Sequence, residues 1–299
     1  MMSNNLNAIP SCTLCPRDCR AIRTAFSGEG RCQMGARPVL ARAALHFDEE
    51  PCISGTRGSG TMFFSGCPLG CVYCQNESIS HGRFGKSVSV EELRGAMDNL
   101  IAQGAHNINL VTAGHFTPAI LAALIPAPPV PMVWNSNGYE KVDTLKSLEG
   151  AVNVYLPDYK YDDEAGARIY SDAPDYPQTA RAALREMRRQ SGPVRLDADG
   201  IMVSGVIIRH LILPGRARES MRALDFIAGE MDGVWVSLMA QYLPCGTAKE
   251  MKPLDRRITK LEYDVVVNHL FKLGLTDGYV QERSSAEARY IPPFDLTGV

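Results

Sequence analysis

Apolar residues gather into six short, nearly unbroken runs, at 61–64, 107–112, 131–134, 152–156, 203–213 and 234–239. Between them the period lengthens to that of a helix. Ser89-Val90-Glu91-Glu92 forms a capping box, followed by Leu93, Ala96, Met97, Leu100 and Ile101 at helical spacing. Thr117-Pro118 opens another helix, which the proline-rich stretch from Pro126 stops; further helices are expected near 141–148 and 178–190. Met221, Leu224, Ile227 and Met231 stripe the next one. Thr259-x-x-Glu262 caps the last, whose Leu261, Val265, Val266, Leu270 and Leu273 are expected to face inward until Gly274. Continuous apolar strands alternating with amphipathic helices call for a parallel sheet covered by helices. The expected fold class is α/β, an open (β/α)6 partial TIM-type barrel, with a flat doubly wound sheet as the alternative.

Ligands of such sheets collect at the carboxyl ends of the strands, so polar residues there carry the candidate chemistry. Three cysteines follow the first run, and Thr112-Ala113-Gly114-His115 follows the second. Asn135-Ser136-Asn137-Gly138, Asp158-Tyr159-Lys160 and Gln241-Tyr242 follow the third, fourth and sixth. Arg209 and His210 lie inside the fifth run. Successive strand residues point to opposite faces, so at least one of these two enters a mostly buried environment, where a carboxylate, a ribose or a structural hydrogen bond must satisfy it. His46, His81, His106 and His269 lack such a context and read as surface or core histidines.

The densest chemistry is Gly66-Cys67-Pro68-Leu69-Gly70-Cys71-Val72-Tyr73-Cys74-Gln75-Asn76. Spaced C-x3-C-x2-C with glycines beside them, three thiols can converge while backbone amides stay free to hydrogen-bond to sulfide. A fourth ligand is missing, which leaves one iron of a cubane open to a small molecule. Nearer the N-terminus, Cys12, Cys15, Cys19 and Cys32 make C-x2-C-x3-C-x12-C in a stretch with few large apolar side chains. Such a segment needs a staple; zinc and a second iron–sulfur cluster both fit the spacing. Cys52 and Cys245 stand alone and read as small buried residues.

The organisation expected from this is a cysteine-rich metal-binding segment at 1–45, the barrel at 46–275 and a tail at 276–299. With 45% hydrophobic residues a chain of 299 can bury a sizeable core. A net charge of −2 offers no global attraction to nucleic acid or anionic membrane. Stretches such as 119–125 are too short to span a bilayer. Seven of nine cysteines fall in two short-spaced groups and the first seven residues are polar, so the chain reads as cytoplasmic, in a reducing compartment.

The C-x3-C-x-Tyr-C arrangement resembles the radical S-adenosylmethionine (SAM) superfamily. More narrowly, Phe63-Phe64-Ser65-Gly66-Cys67, Cys74-Gln75-Asn76, Pro157-Asp158-Tyr159-Lys160, Arg209-His210-Leu211 and Met239-Ala240-Gln241-Tyr242-Leu243-Pro244 resemble an uncharacterised branch related to pyruvate formate-lyase activating enzyme. The resemblance implies a [4Fe-4S] cluster on Cys67, Cys71 and Cys74, whose open iron the amino and carboxylate groups of SAM chelate. It implies SAM contacts from Asp158, Lys160 and Arg209, with Tyr73, Gly114, His115 and Gln241 as further cofactor neighbours. It also implies a monovalent cation beside Asp158, with Asn135 and Ser136 near it, although the activating enzymes carry aspartate where this chain has Asn135. Ala113-Gly114-His115 likewise replaces the superfamily's usual Gly-Gly-Glu.

The implied reaction is one-electron reductive cleavage of SAM, fed by a donor such as flavodoxin or ferredoxin, followed by hydrogen abstraction by a 5′-deoxyadenosyl radical. The substrate is either a glycine of a partner enzyme, as in the activating enzymes, or a small molecule or other macromolecule. A non-catalytic iron–sulfur binding or assembly protein is the reading from a different class.

Overall fold

The computed structural model describes residues 8–287 and 292–299, so the expected polar start at residues 1–7 lies outside them. In chain order the elements are β1 (Val39–His46), α1 (Pro51–Ser54), β2 (Ser59–Phe64), α2 (Glu77–Ser80), β3 (Lys86–Ser87) and α3 (Val90–Ala102). Then come β4 (Ile108–Val111), α4 (Thr117–Ala123), β5 (Met132–Ser136), α5 (Val142–Ser147), β6 (Val154–Pro157), α6 (Glu164–Ser171) and α7 (Tyr176–Ser191). The chain continues through β7 (Arg195–Leu196), β8 (Met202–Leu211), α8 (Ala217–Glu230), β9 (Trp235–Met239), α9 (Lys260–Lys272) and β10 (Gly278–Val280).

The sheet order is β10-β9-β8-β6-β5-β4-β2-β1-β3. From β2 to β10 every neighbouring pair on this path is parallel, and the order follows the sequence without reversal. A doubly wound sheet would reverse at a switch point, so the fold is the open partial TIM-type barrel. All six expected strands are present, each shifted by at most about two residues. Helices α1, α2 and α6 and strands β1, β3, β7 and β10 were not expected. β1 pairs antiparallel with β2, β7 forms a hairpin onto β8, and β10 adds a seventh parallel strand after the last helix. β1 runs across residue 45, and β10 falls beyond residue 275.

The outward face of the sheet and the inward stripes of the helices make the main core. It joins Leu110, Trp134 and Tyr155 to Leu93, Met97, Leu145, Leu184, Leu224 and Val266. Both expected capping boxes form, at Ser89/Glu92 and Thr259/Glu262. On α9 the expected stripe is too wide. Val266 and Leu270 are buried, but Leu261 is 72% exposed, because α9 covers the sheet at its edge and has neighbours on one side only.

Inside the barrel a smaller cluster, Cys52, Ile53, Val133, Val154, Leu156, Met202 and Ile207, fills the amino-terminal end of the strands. α1 plugs that end, which leaves the carboxyl end as the place where polar side chains can project. No helix among the described residues is long and apolar enough to cross a membrane.

Candidate functional site

β2 leads straight into the cysteine loop. Gly66 and Gly70 both adopt positive φ, +79° and +65°, conformations that favour glycine. At Gly66 a side chain would also collide with Met34 and approach the Cys32 carbonyl. The turn therefore fixes both the loop's path and its contact with the N-terminal segment. Cys67, Cys71 and Cys74 all line one cavity of about 320 Å3 at the carboxyl end of the strands.

Each of these sulfurs has its own hydrogen-bond donor. Cys67 accepts from the Leu69 N–H at 3.4 Å and Asn137 Nδ2 at 3.5 Å, Cys71 from Ser171 Oγ at 3.1 Å, and Cys74 from Ser80 Oγ at 3.2 Å. Burial pushes the Cys74 thiol up to about 12 and raises that of Cys67. Free thiols so disposed stay protonated, and a bound metal reverses that by deprotonating them outright. Donors aimed at sulfur stabilise the metal-bound thiolate, so the set fits a cluster held on three sides.

Across the cavity the charged side chains form one network. Lys160 Nζ meets Asp158 Oδ2 at 2.6 Å, and Arg209 Nε meets Asp158 Oδ1 at 3.0 Å. Arg209 continues to Glu49 Oε2 at 3.2 Å and Asn135 Oδ1 at 2.5 Å, while Asn135 and Asn109 donate to Glu49 Oε1 at 3.1 and 3.0 Å. Burial favours a neutral Asp158, but Lys160 and Arg209 outweigh it and hold the carboxyl below its ordinary range. Burial likewise opposes charge on Lys160, and Asp158 more than reverses it. Both cations are thus retained in a desolvated site.

The two polar residues of β8 divide as their alternation requires. Arg209 faces the cavity, and His210 lies behind the sheet, its Nδ1–H donated to the Tyr159 carbonyl at 2.6 Å and its Nε2 accepting from Ser220 Oγ at 2.9 Å. Burial lowers the His210 pKa against the opposing pull of the Tyr159 carbonyl, so the ring is neutral and structural.

Tyr73, Asn135, Ser136 and Gln241 also line the cavity. Tyr73 sits in an aromatic cluster with Tyr161, Tyr170 and Tyr242. Ser136 Oγ is spent on Glu140 at 2.8 Å, and Gln241 Oε1 accepts from Gln281 at 3.0 Å. Since Asn135 is committed to Arg209 and Glu49, and Asp158 has a cationic partner on each oxygen, guanidinium and ammonium fill the surroundings where a monovalent cation was expected.

Gly114 and His115 stand outside this group. The turn after β4 presents Thr112 to the cavity at φ +56°, and the chain then dives into the core. A side chain at Gly114 would strike the Glu140 carboxylate, and buried His115 donates Nε2–H to the Ser65 carbonyl at 2.9 Å. Burial drives the His115 pKa down to about 3, so it braces the start of the cysteine loop as a neutral ring. Glu49 and Glu50 line the cavity without having been singled out from the sequence, and so does His46, which the sequence placed among surface or core histidines. They occupy the end of β1 and the irregular turn after it, where Asp48-Glu49-Glu50 looks like an ordinary solvated acidic run.

Cys12, Cys15, Cys19 and Cys32 lie outside the cavity but close enough together that, after burial, Cys32, Cys12 and Cys19 all help raise the Cys15 thiol to about 12. Their segment is docked on the barrel site. Arg17 donates to the carbonyls of Pro68 at 2.9 Å, Leu69 at 3.3 Å and Ser171 at 2.8 Å. Arg23, fully buried, donates to the carbonyls of Met34, His115 and Gly35, and reaches Cys12 Sγ at 3.5 Å. Among the described residues, no three His, Cys, Asp or Glu side chains converge as the ligands of a single metal ion do. A polynuclear cluster has ligands that stand further apart.

No family model matches the chain. The uncharacterized protein MJ0674 of Methanocaldococcus jannaschii is 30% identical over 281 residues, spanning 90% of this chain and 77% of that protein. The chain belongs to the same family as that protein. Among solved structures, SuiB of Streptococcus suis bound to its precursor peptide SuiA aligns with 73% of this chain at a TM-score of 0.46 and 8% identity. SuiB without a named ligand aligns with 75% at 0.46 and 9% identity, and SuiB bound to S-adenosylmethionine with 73% at 0.43 and 10% identity. This chain spans about half the length of those chains, 47%, 48% and 45%.

Proposed function

We propose that this protein is a radical SAM enzyme. The observation that carries the reading is one cavity in which Cys67, Cys71 and Cys74, each with its own donor, face the Asp158–Lys160 pair. A [4Fe-4S] cluster bound there would supply the electron for reductive cleavage of SAM and so the means of hydrogen abstraction from a substrate C–H. The three cysteines would hold the cluster. Lys160 and Arg209 offer N–H donors to the SAM carboxylate, and Asp158 keeps both cations charged and oriented. Phe63, Phe64, Ile79 and Met239 supply apolar walls that limit water around the radical.

Within this reading the N-terminal cysteines hold zinc or a second cluster. Their docking through Arg17 supports a route for electrons from a flavodoxin- or ferredoxin-type donor if a cluster is bound. Activation of a glycine in a partner enzyme is the substrate reading supported by Asp158-x-Lys160; Ala113-Gly114-His115 and the extra cysteine site support modification of a small molecule or another macromolecule.

Anaerobic, reconstituted protein treated with dithionite and SAM tests the proposal. Methionine and 5′-deoxyadenosine in equal amounts are expected, and their absence from fully reconstituted protein would contradict it.

A further inference from the structure

The cavity is lined by more carboxyl groups than cations, and one of those carboxyls keeps a buried oxygen without a partner. Asp48, Glu49, Glu50 and Asp158 line it against Lys160 and Arg209, while His46, whose pKa burial lowers, stays neutral. Glu49 and Asp158 have partners on both oxygens within the network around Arg209.

Glu50 does not. It is only 9% exposed, and its Oε2 has no hydrogen-bond partner. It stands at the N-cap of α1 without capping that helix through its side chain. Burial, helped by Glu49, raises its pKa against the pull of Arg209, so the empty site favours the neutral acid and a cationic donor brought beside it would ionise it. A buried acceptor left unmade costs about 1–3 kcal/mol, more if charged. Two hydroxyls flank it. Ser237, itself buried, hydrogen-bonds towards the carboxyl, and Tyr279 lies near it with its hydroxyl oxygen accepting the Cys52 N–H at 3.3 Å.

We infer that Glu50, with the Ser237 and Tyr279 hydroxyls, anchors the substrate and takes a positively charged primary amino group. An ammonium has three N–H donors and no acceptor, which suits one carboxylate and two hydroxyl oxygens. Its charge would stabilise the ionised Glu50 that burial alone disfavours. The group sits at the end of a flexible alkyl stem in free alkylamines and in lysine side chains alike. The substrate sense of this inference rests on the radical SAM reading; the binding itself does not.

Saturation-transfer NMR titrations on the full reconstituted chain at pH 7.5 provide the test, with n-butylammonium, its neutral counterpart butan-1-ol, and N-acetyl-lysinamide as probes. Wild type is expected to bind n-butylammonium about tenfold more tightly than butan-1-ol, the increment of one charge-assisted hydrogen bond. Glu50→Gln should bring the two within about twofold, and Ser237→Ala should weaken the ammonium by a smaller factor.

N-acetyl-lysinamide binding as tightly as n-butylammonium supports an amine presented on a peptide; binding of the free amine alone supports a small molecule. Equal binding of amine and alcohol by wild type, or a preference that survives Glu50→Gln, would overturn the inference. SAM cleavage measured on the same wild-type samples keeps the two ideas separate. Cleavage without an ammonium preference sinks this inference alone, and an ammonium preference without cleavage sinks the radical reading alone.

Discussion

The two cysteine groups of this chain sit in different surroundings. In the barrel, each sulfur receives a hydrogen bond from its own loop or from a separate element: the Leu69 amide and Asn137 for Cys67, Ser171 for Cys71, Ser80 for Cys74. All three face a cavity shared with charged side chains. The N-terminal sulfurs receive donors as well, the Arg23 guanidinium at Cys12 and the backbone amides of Arg17 and Met34 at Cys15 and Cys32. That segment is tied down through its backbone and through Arg17 and Arg23. What separates the groups is placement: the first shares a cavity with charged side chains, and the second is docked beside it through Arg17 and Arg23. Within the proposed reading we place the chemistry at the first group and propose an anchoring role for the second.

The largest expected effect separates the groups outright. Replacing Cys67, Cys71 and Cys74 together by alanine should abolish SAM cleavage while leaving the melting temperature nearly unchanged. Replacing Cys12 and Cys15 should lower that temperature by about 10 °C and open residues 8–35 to proteolysis, as expected for loss of a structural staple. A triple variant that unfolds, or an N-terminal variant as stable as wild type, would reverse the assignment.

Next in size is Asp158→Asn, which leaves Lys160 and Arg209 without their shared carboxylate. Breaking a buried ion pair costs about 3–5 kcal/mol, so SAM binding measured calorimetrically should weaken by roughly two orders of magnitude or more. An unchanged affinity would remove Asp158 from the site.

Ser171→Ala sharpens the comparison further, because it removes the donor to Cys71; it also takes the partner of the buried Tyr161 hydroxyl, so the melting temperature is read alongside. A loss of about 10–100-fold in cluster affinity or cleavage rate is expected, as for other residues that support metal ligands. The same change at Thr24, near the N-terminal cysteines but bonded to Ser27, should have no such effect.

The smallest effect concerns Glu140, which lies beneath the loop bearing Asn137. Burial raises its carboxyl to about 7 from 4.5, despite hydrogen bonds from Ser136 and Trp134. Because the folded value is the higher one, its contribution is fully present below pH 4.5 and is lost as the pH rises through 7. Up to about 3 kcal/mol is involved. Glu140→Gln keeps an acceptor for both donors and should flatten the decline in melting temperature across that window. An unchanged slope would mean that other groups carry it.

The strands were legible because parallel strands buried on both faces must be apolar throughout, and six such runs stand out. β1 was not. Val39–His46 mixes Ala and Arg without clear alternation, and pairs antiparallel at the rim. β10 is only three residues long and is defined by its pairing with β9.

At the site, Cys67, Cys71, Cys74, Asp158, Lys160 and Arg209 could be found because their spacing places them on strand ends. Glu49 and Glu50 could not, since nothing local distinguishes a buried acidic turn from a solvated one. Gly114 and His115 show the converse, residues at a strand end that do not line the cavity. They follow a strand end as the rule asks, but the positive φ of Thr112 turns the chain away from the cavity one step earlier.

The most direct test of the account is electron paramagnetic resonance combined with iron and zinc analysis on anaerobically reconstituted protein, wild type against the Cys67/Cys71/Cys74 triple alanine variant, with and without SAM. The account predicts a reduced cluster signal that shifts when SAM is added and is missing from the variant, with the metal of the N-terminal cysteines retained. Zinc or a surviving iron signal in the variant then identifies that second metal. A wild-type protein whose reduced signal ignores SAM, or a SAM-sensitive signal that persists in the variant, would contradict it.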